Sequence, residues 1–322
     1  MHMTSSKYFS LSLLILSAFC VMAGNSCSKS TKSAFVPPVA AGIDTSTPAS
    51  GVPPLYWQER WLDHRQYLTR VAYNADVAIY YDNNMERSIT WPLAFMTDVW
   101  KYTKSVYGNF GTENRLYCVF HRKNYSGGRT GNIFDEADDY RSLADVATDG
   151  SFEKPETWNI DAIVHEVGHV VEGSSFNVHE SPAYTVWGDS KWAEIFQYDV
   201  YMGIGKPAEA ERLKTQYMAQ TDNFPVAGTY WFKNWFYPIY TTYGKSAVLA
   251  KYFKLLSQYF PKKTISSGVE YTRRMNLGEF IHFFSGAAGV SLKAQATTAF
   301  GWTNDMETQF NKAKTDFPAI VY

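Results

Sequence analysis

Cysteine is scarce in this sequence, with three residues among 322. Cys20 and Cys27 lie near the amino terminus, so Cys118 is alone in the remainder of the chain. One cysteine cannot close an internal disulfide, and the fold must therefore depend on its hydrophobic core. Cys118 lies within the apolar residues 116–120, which favours a buried thiol over a reactive one.

Net charge is also small, at −1, and no cluster of Lys or Arg occurs. Neither nucleic acid nor an anionic membrane surface is therefore expected as a partner, because both are usually bound by a basic patch. The apolar residues 11–23 form too short a run for a stable membrane-spanning helix. Aromatic residues are abundant instead, at 17% of the chain, which predicts either a dense core or a surface with exposed rings.

Residues 1–26 have the pattern of an export signal, with Lys7 ahead of the apolar run. Small residues then precede Cys27, and this order resembles the lipobox of bacterial lipoproteins, in particular those of the Bacteroidetes. The resemblance implies cleavage before Cys27 and acylation of that residue. It also implies an outer-membrane lipoprotein that faces the periplasm or the cell surface and touches the membrane only through its lipid. Cys20 is a weaker alternative, and an ordinary secretory signal is another.

Residues 27–54 are rich in Ser, Thr, Pro, Ala and Gly and have no hydrophobic period. This composition predicts a flexible tether between the lipid and the folded part. The rest is long enough for a domain of two lobes, which we place at residues 55–203 and 204–322.

The most informative stretch is residues 160–173, which contains His165, Glu166 and His169 in the spacing HExxH. On a helix, His165 and His169 project from one face and can share a metal ion, with Glu166 beside them as a general base. Apolar residues surround the three polar ones, which is typical of a buried helix. The sequence therefore predicts a zinc site here.

A zinc site of this kind needs a third protein ligand. The metzincin continuation fails, because Glu172 and Ser175 stand where that pattern needs Gly and His. Glu194 is the preferred ligand, since it lies in the apolar helix candidate 190–201 and a buried carboxylate needs a partner. Asp189 is the runner-up, and His179 could arrive only by a loop.

His165, Glu166 and His169, with Glu194 on a following helix, resemble the gluzincin metallopeptidases. The order of elements is loosely similar to that of the basic-secretory-protein-like peptidases. The resemblance implies an α+β, zincin-like fold with two lobes: a small mixed sheet with the active-site helix, and a mostly helical carboxy-terminal lobe. Gluzincins usually have an acidic residue four places after the third ligand, where this chain has Tyr198. Asp199 or Glu172 could orient a ligand histidine instead.

The expected function is that of an exported zinc peptidase that cleaves peptides or proteins, including glycoproteins. A zinc-activated water would attack the peptide carbonyl, and Glu166 would take its proton and pass it to the leaving amine. The family's second oxyanion donor is a Tyr or His of the helical lobe, for which the candidates are Tyr230, Tyr237, Tyr240, Tyr243 and His282. The alternative is an inactive zincin-like lipoprotein that binds glycans or proteins through its aromatic residues.

Hydrophobic periodicity predicts the elements around the motif. We expect strands at 77–81 and 116–120, helices at 91–107 and from 158, and a polar stretch with a loop and an edge strand over 122–150. The acidic residues 135–139 lack the spacing of a calcium loop. Residues 174–190 are expected to form a loop over the metal, with His179, Tyr184 and Trp187 as candidates for lining the cleft. Further helices are predicted at 207–219, 230–243, 246–260, 276–284, 291–299 and 303–313.

Overall fold

A six-stranded mixed sheet occupies the first half of the region that the computed structural model describes, residues 51–322. Its strands are β1 (Tyr56–Gln58), β2 (Tyr67–Tyr73), β3 (Val77–Tyr81), β4 (Leu116–Arg122), β5 (Gly127–Gly131) and β6 (Ser142–Thr148). Their spatial order is β1-β2-β3-β4-β6-β5. Strands β3, β4 and β6 are mutually parallel, whereas β1, β2 and β5 run antiparallel to their neighbours. Strand β5 is therefore an antiparallel strand at one edge of the sheet.

The central strands are buried on both faces because their side chains alternate between two cores. In β4, Leu116, Cys118 and Phe120 join the larger core, which the helices share. Tyr117 and Val119 join a smaller core on the opposite face. The loop between β1 and β2, residues 59–66, contributes Trp61 to that smaller core.

Within the described residues, ten α-helices lie between and after the strands. They are α1 (Trp91–Tyr107), α2 (Trp158–Ser174), α3 (Tyr184–Trp187), α4 (Lys191–Gly203), α5 (Pro207–Met218), α6 (Tyr237–Thr242), α7 (Ser246–Tyr259), α8 (Leu277–Ala288), α9 (Lys293–Phe300) and α10 (Asn304–Asp316). Short 3₁₀ helices lie at Glu136–Asp138 and Ser175–Asn177, and a π-helix at Phe232–Phe236 leads into α6. Three short strands, β7 (Val178–His179), β8 (Lys262–Ile265) and β9 (Gly268–Tyr271), form a second sheet.

The α+β class is confirmed, and several elements have their predicted bounds. Strand β3 and helix α1 match the predictions at both ends, and α2 begins at Trp158 as expected. Cys118 is fully buried, as its apolar surroundings predicted. The carboxy-terminal part consists mostly of helices, and the β8–β9 hairpin interrupts them at residues 262–271, where no element was predicted.

Aromatic side chains account for much of the core. Seven of the tryptophans are at most 2% exposed: Trp57, Trp61, Trp100, Trp187, Trp192, Trp231 and Trp235. By contrast, Trp158 is 43% exposed. The aromatic excess thus builds a dense core.

The described residues, 51–322, belong to one compact unit. The larger core contains Tyr201 of α4 and Leu213 of α5, one on each side of the predicted lobe boundary at 203/204. That division stays a prediction. The signal peptide, Cys27 and all but the last residues of the tether lie outside the described residues. Within residues 51–322, no helix combines the length and the apolar character needed to cross a membrane.

Candidate metal centre

Helix α2 presents both motif histidines to a cavity. Its opposite side is buried and includes Ile163 and Val167, which pack in the larger core. His165 and His169 lie one turn apart, and their Nε2 atoms are 3.1 Å from each other. Tetrahedral coordination at about 2.0–2.1 Å from zinc places two nitrogen donors about 3.3 Å apart. The histidine pair therefore has the spacing of two ligands to one ion.

The Glu172 carboxylate orients His169 from the next turn of α2. Nδ1 of His169 lies 3.0 Å from Glu172 Oε2. The other oxygen, Oε1, accepts hydrogen bonds from the Ser181 hydroxyl at 2.5 Å and the Trp187 indole at 2.6 Å. A carboxylate held in this way keeps Nε2 of His169 directed at the cavity. Of the two acidic residues that the sequence left open for this role, the structure places Glu172 there.

Asp199 serves a different purpose. Its carboxylate is fully buried and accepts hydrogen bonds from three tyrosine hydroxyls: Tyr102 and Tyr107 of α1, and Tyr240. Burial raises the pKa of Asp199 to about 6, although the three hydroxyls act in the other direction. Asp199 therefore joins α1, α4 and α6 and does not touch the histidines.

The pKa values of the two histidines are shifted in opposite directions. Burial, and to a smaller extent the neighbouring His169, lower the pKa of His165 to about 4. Burial also acts to lower the pKa of His169, but the hydrogen bond and charge of Glu172 outweigh it, so the net pKa is raised. His165 is thus neutral near pH 7, which is the form that binds a metal.

Glu166 lies beside the pair and is held by the edge strand. Its Oε2 accepts a hydrogen bond from the Thr130 hydroxyl at 2.9 Å, and the same hydroxyl contacts the Glu166 carbonyl oxygen at 2.7 Å. Burial raises the pKa of Glu166 to about 7. A carboxylate with a pKa near neutrality suits a general base.

Strand β5 approaches Glu166 so closely that a side chain at residue 128 would displace the carboxylate. A Cβ atom at Gly128 would lie 2.2 Å from Glu166 Oε1. The sequence analysis missed both Gly128 and Thr130. Residues 127–131 are rich in glycine, which indicates a close approach of another part of the chain. The sequence does not show that this part is Glu166, which lies 36 residues after Thr130.

The two carboxylates proposed as third ligand have different surroundings. Oδ1 of Asp189 lies 3.9 Å from His169 Nε2, and the ligand atoms of His165, His169 and Asp189 are all within 4.8 Å of one another. Glu194 lines a neighbouring cavity that His165 also lines. Its Oε1 is 2.5 Å from the Lys191 ammonium, and burial raises its pKa to about 7. The structure thus brings Asp189 to the histidine pair and pairs Glu194 with Lys191.

The cavity in front of the motif has a volume of about 400 Å³ and is open to solvent. Of the three loop residues expected to line it, His179 and Tyr184 do so, together with Arg274. Trp187 lies in the core behind Glu172, so that expectation is wrong: its large apolar ring is fully buried.

Within residues 51–322, none of the five candidate oxyanion donors lines this cavity. Tyr240 donates to Asp199, and His282 is buried with Nδ1 at 2.9 Å from the Tyr322 hydroxyl. Among the cavity residues, Tyr184 and Arg274 carry suitable hydrogen-bond donors.

Comparisons with known proteins give little further information. No protein-family model matches the sequence, and no curated protein matches it significantly. Two similar solved structures are described as a functionally unknown conserved protein from Bacillus anthracis strain Ames and a mutant of such a protein. The mutant has 12% identity and a TM-score of 0.48, with 77% of this chain and 52% of that chain covered. The other has 12% identity and a TM-score of 0.47, with 74% and 50% covered. The chain thus spans about half the length of these structures.

Proposed function

We propose that this protein is a zinc-dependent peptidase of the gluzincin type, with a two-lobed zincin-like fold. The observation that carries the proposal is the joint arrangement of His165, Glu166 and His169. Two imidazoles at chelating distance and a carboxylate with a raised pKa face one cavity.

The donor set fits zinc. Two imidazole nitrogens and a nearby carboxylate, with Glu172 orienting one ring, are the ligand types that catalytic zinc sites use. When bound, a zinc ion supplies Lewis acidity and lowers the pKa of a coordinated water towards neutrality. Glu166 lies beside the pair, and Thr130 fixes one of its oxygens. Glu166 accepts a proton on its other oxygen and returns it to the leaving amine.

A peptide substrate fits the free edge of β5. This strand ends the sheet order, so within residues 51–322 its outer edge pairs with no other strand. An extended peptide can add to such an edge through main-chain hydrogen bonds. Because Gly128 and Thr130 of β5 contact Glu166, a peptide bound there passes the general base.

Glu194 remains our proposed third ligand, and Asp189 is the second candidate because its carboxylate already lies near the histidines. For Glu194 to bind zinc, Lys191 must release it. Lys191 has a second partner, Asp222 at 3.1 Å, and can keep that ion pair after the release. Asp189 requires no such exchange, but its side chain is 74% exposed.

Zinc content distinguishes the two ligands. The soluble chain that begins after Cys27 is compared with Glu194→Ala and Asp189→Ala by elemental mass spectrometry. We expect Glu194→Ala to lose the zinc of the His165 and His169 site and Asp189→Ala to retain it. The reverse result assigns the ligand to Asp189 and removes Glu194 from the site.

The activity test is the Glu166→Gln variant. It should keep zinc and lose peptide hydrolysis by about 10²–10⁴-fold, because only the proton acceptor is removed. Glu211→Gln on the exposed face of α5 is the control and should hydrolyse peptides as the wild type does. Full activity in Glu166→Gln would refute the assignment. Glycan binding without zinc or hydrolysis would favour the inactive binding lipoprotein instead.

Export and lipid attachment at Cys27 form part of the same proposal, with an outer-membrane lipoprotein as the expected product. Radiolabelled fatty acid should be incorporated into the wild type and not into Cys27→Ala.

A further inference from the structure

A second cluster of potential metal ligands lies on the other face of the main sheet. It consists of Glu59, His64, His121 and Asp145, each at most 7% exposed. One ligand atom from each residue can be chosen so that all four lie within 4.8 Å of one another. The function proposed above makes no use of these residues.

The fold brings the four residues together from three places. His121 lies on β4 and Asp145 on β6, which are neighbouring parallel strands. Both side chains project away from α2, because they alternate with the residues that join the larger core. Glu59 and His64 belong to the loop of residues 59–66, which covers this face.

Four distances between ligand atoms of the cluster are close to the edges of a coordination tetrahedron. Glu59 Oε1 is 2.8 Å from His121 Nε2 and 3.4 Å from His64 Nδ1. Asp145 Oδ2 lies 3.3 Å from His64 Nδ1, and Asp145 Oδ1 lies 3.1 Å from His121 Nε2. Donors at about 2.0–2.2 Å from a tetrahedral zinc ion are separated by about 3.3–3.5 Å.

Several of these atoms lack any other partner. Within residues 51–322, Glu59 Oε1, His64 Nδ1 and His121 Nε2 are buried and form no hydrogen bond. Buried polar atoms are rarely left in this state, and binding of an ion would satisfy them. The short separations thus reflect converging ligand atoms and not aligned hydrogen bonds.

Hydrogen bonds from neighbouring groups hold the two carboxylates in place, and a third carboxylate lies beside one of the rings. The Trp61 indole donates to Asp145 Oδ2 at 2.8 Å, and the backbone N–H of Gln66 donates to Glu59 Oε2 at 3.0 Å. Asp82 Oδ2 lies 3.4 Å from His121 Nδ1, on the far side of the ring from the cluster. A carboxylate beyond a ligand histidine is a usual partner in metal sites.

We propose that Glu59, His64, His121 and Asp145 form a second metal site, which binds one zinc ion. Two carboxylates balance the charge of a divalent cation, and imidazole donors favour zinc over calcium or magnesium. The protein fills all four positions and each residue is at most 7% exposed, which is typical of a structural site. The ion fastens the loop of residues 59–66 to β4 and β6, as a disulfide does in other proteins.

The competing account is a metal-free ion-pair network with protonated histidines. Burial lowers the pKa of His64, but Asp145 and Glu59 outweigh it and raise the pKa to about 9. The pKa of His121 is likewise raised by Asp145, Asp82 and Glu59 despite burial. In that account, the cluster takes up no zinc.

Zinc counting on the purified full chain decides between the two accounts. The His165→Ala/His169→Ala variant removes the first site and should retain one zinc per chain. Adding Glu59→Gln or His64→Gln should reduce this to none, whereas the buried control His282→Gln should leave one. Absence of zinc from His165→Ala/His169→Ala, or its retention in both added variants, would overturn the proposal.

A spectroscopic measurement covers the case in which the added variants fail to fold. X-ray absorption at the zinc edge of the His165→Ala/His169→Ala protein should show four nitrogen or oxygen neighbours with imidazole scattering. A six-coordinate oxygen shell, or no bound zinc at all, would contradict the site. The result is independent of the peptidase proposal, because the first pair of histidines is absent.

Discussion

At the scale of single residues, Glu172 has the clearest consequence for metal binding. It faces His169 Nδ1 with one oxygen and accepts two hydrogen bonds with the other. Glu172→Gln keeps the shape of the side chain but removes its charge. It also replaces one of the two accepting oxygens by an N–H₂ group, which cannot accept a hydrogen bond. We expect zinc affinity at the first site to fall by about 10–100-fold, as measured by competition with a chromogenic chelator.

Glu180→Gln is the matched control for this experiment. Glu180 lines the same cavity but pairs with Arg274 and touches neither histidine, so zinc affinity should not change. Equal zinc affinity in wild type and Glu172→Gln would show that the ring of His169 needs no carboxylate to hold it.

The residues that sequence reasoning found are those with local spacing. His165, Glu166 and His169 lie within five consecutive positions, so helical geometry alone placed them together. Glu59 and Asp145 are far apart in the chain, and no periodic pattern connects them. Asp145 also lies in a stretch that read as polar, because Ser142–Thr148 has few of the branched or aromatic residues typical of a central strand.

At the scale of elements, strand β5 sets the position of the general base. Gly128→Ala would place a methyl group 2.2 Å from Glu166 Oε1, and the flexible carboxylate would move away. We expect zinc content to be unchanged and kcat to fall by about 10–100-fold, since a displacement of about 1 Å can have such an effect. Steady-state kinetics on a peptide substrate measure the change.

Gly150→Ala is the control, because it adds the same methyl group outside the site. Its Cβ would meet only the Thr148 hydroxyl, at 3.3 Å. If Gly128→Ala retained full kcat, the close approach of β5 would have no catalytic role.

Long amphipathic helices were predicted well, and short elements were not. Helix α1 has apolar residues at helical spacing over 17 positions, which makes its period unambiguous. Strands β8 and β9 have four residues each and are joined by a tight turn, and their side chains are mostly polar. Strands this short and polar have no hydrophobic alternation from which they could be predicted.

At the scale of the whole molecule, Asp199 makes stability depend on pH. Its folded-state pKa of about 6 lies above the ordinary value for an aspartate, so the folded state binds the proton more tightly than the unfolded state. The free energy of unfolding therefore falls as pH rises from about 4 to about 6. A shift of about two units corresponds to about 2–3 kcal/mol for this buried group.

Asp199→Asn should remove this dependence. From pH 4 to pH 7, the unfolding free energy of the wild type should fall by about 2 kcal/mol relative to that of Asp199→Asn. Urea denaturation at several pH values measures it. A difference that stays constant over this range would show that Asp199 is ionised equally in both states.

The alternation of side chains along β5 links the two faces of the sheet. Three of its five residues are glycine, which specifies strand register weakly. Thr130 contacts Glu166 on one face, while Arg129 lies over the Trp61 ring, 5.3 Å from its centroid, on the other. A slip of one residue against β6 would exchange these faces and disturb both the proposed general base and Trp61, whose indole holds Asp145 of the second proposed site. Asp138 lies 2.6 Å from the Arg129 guanidinium, and this ion pair acts against that slip. Asp138 thus stabilises the register of β5 although it is not part of either proposed site.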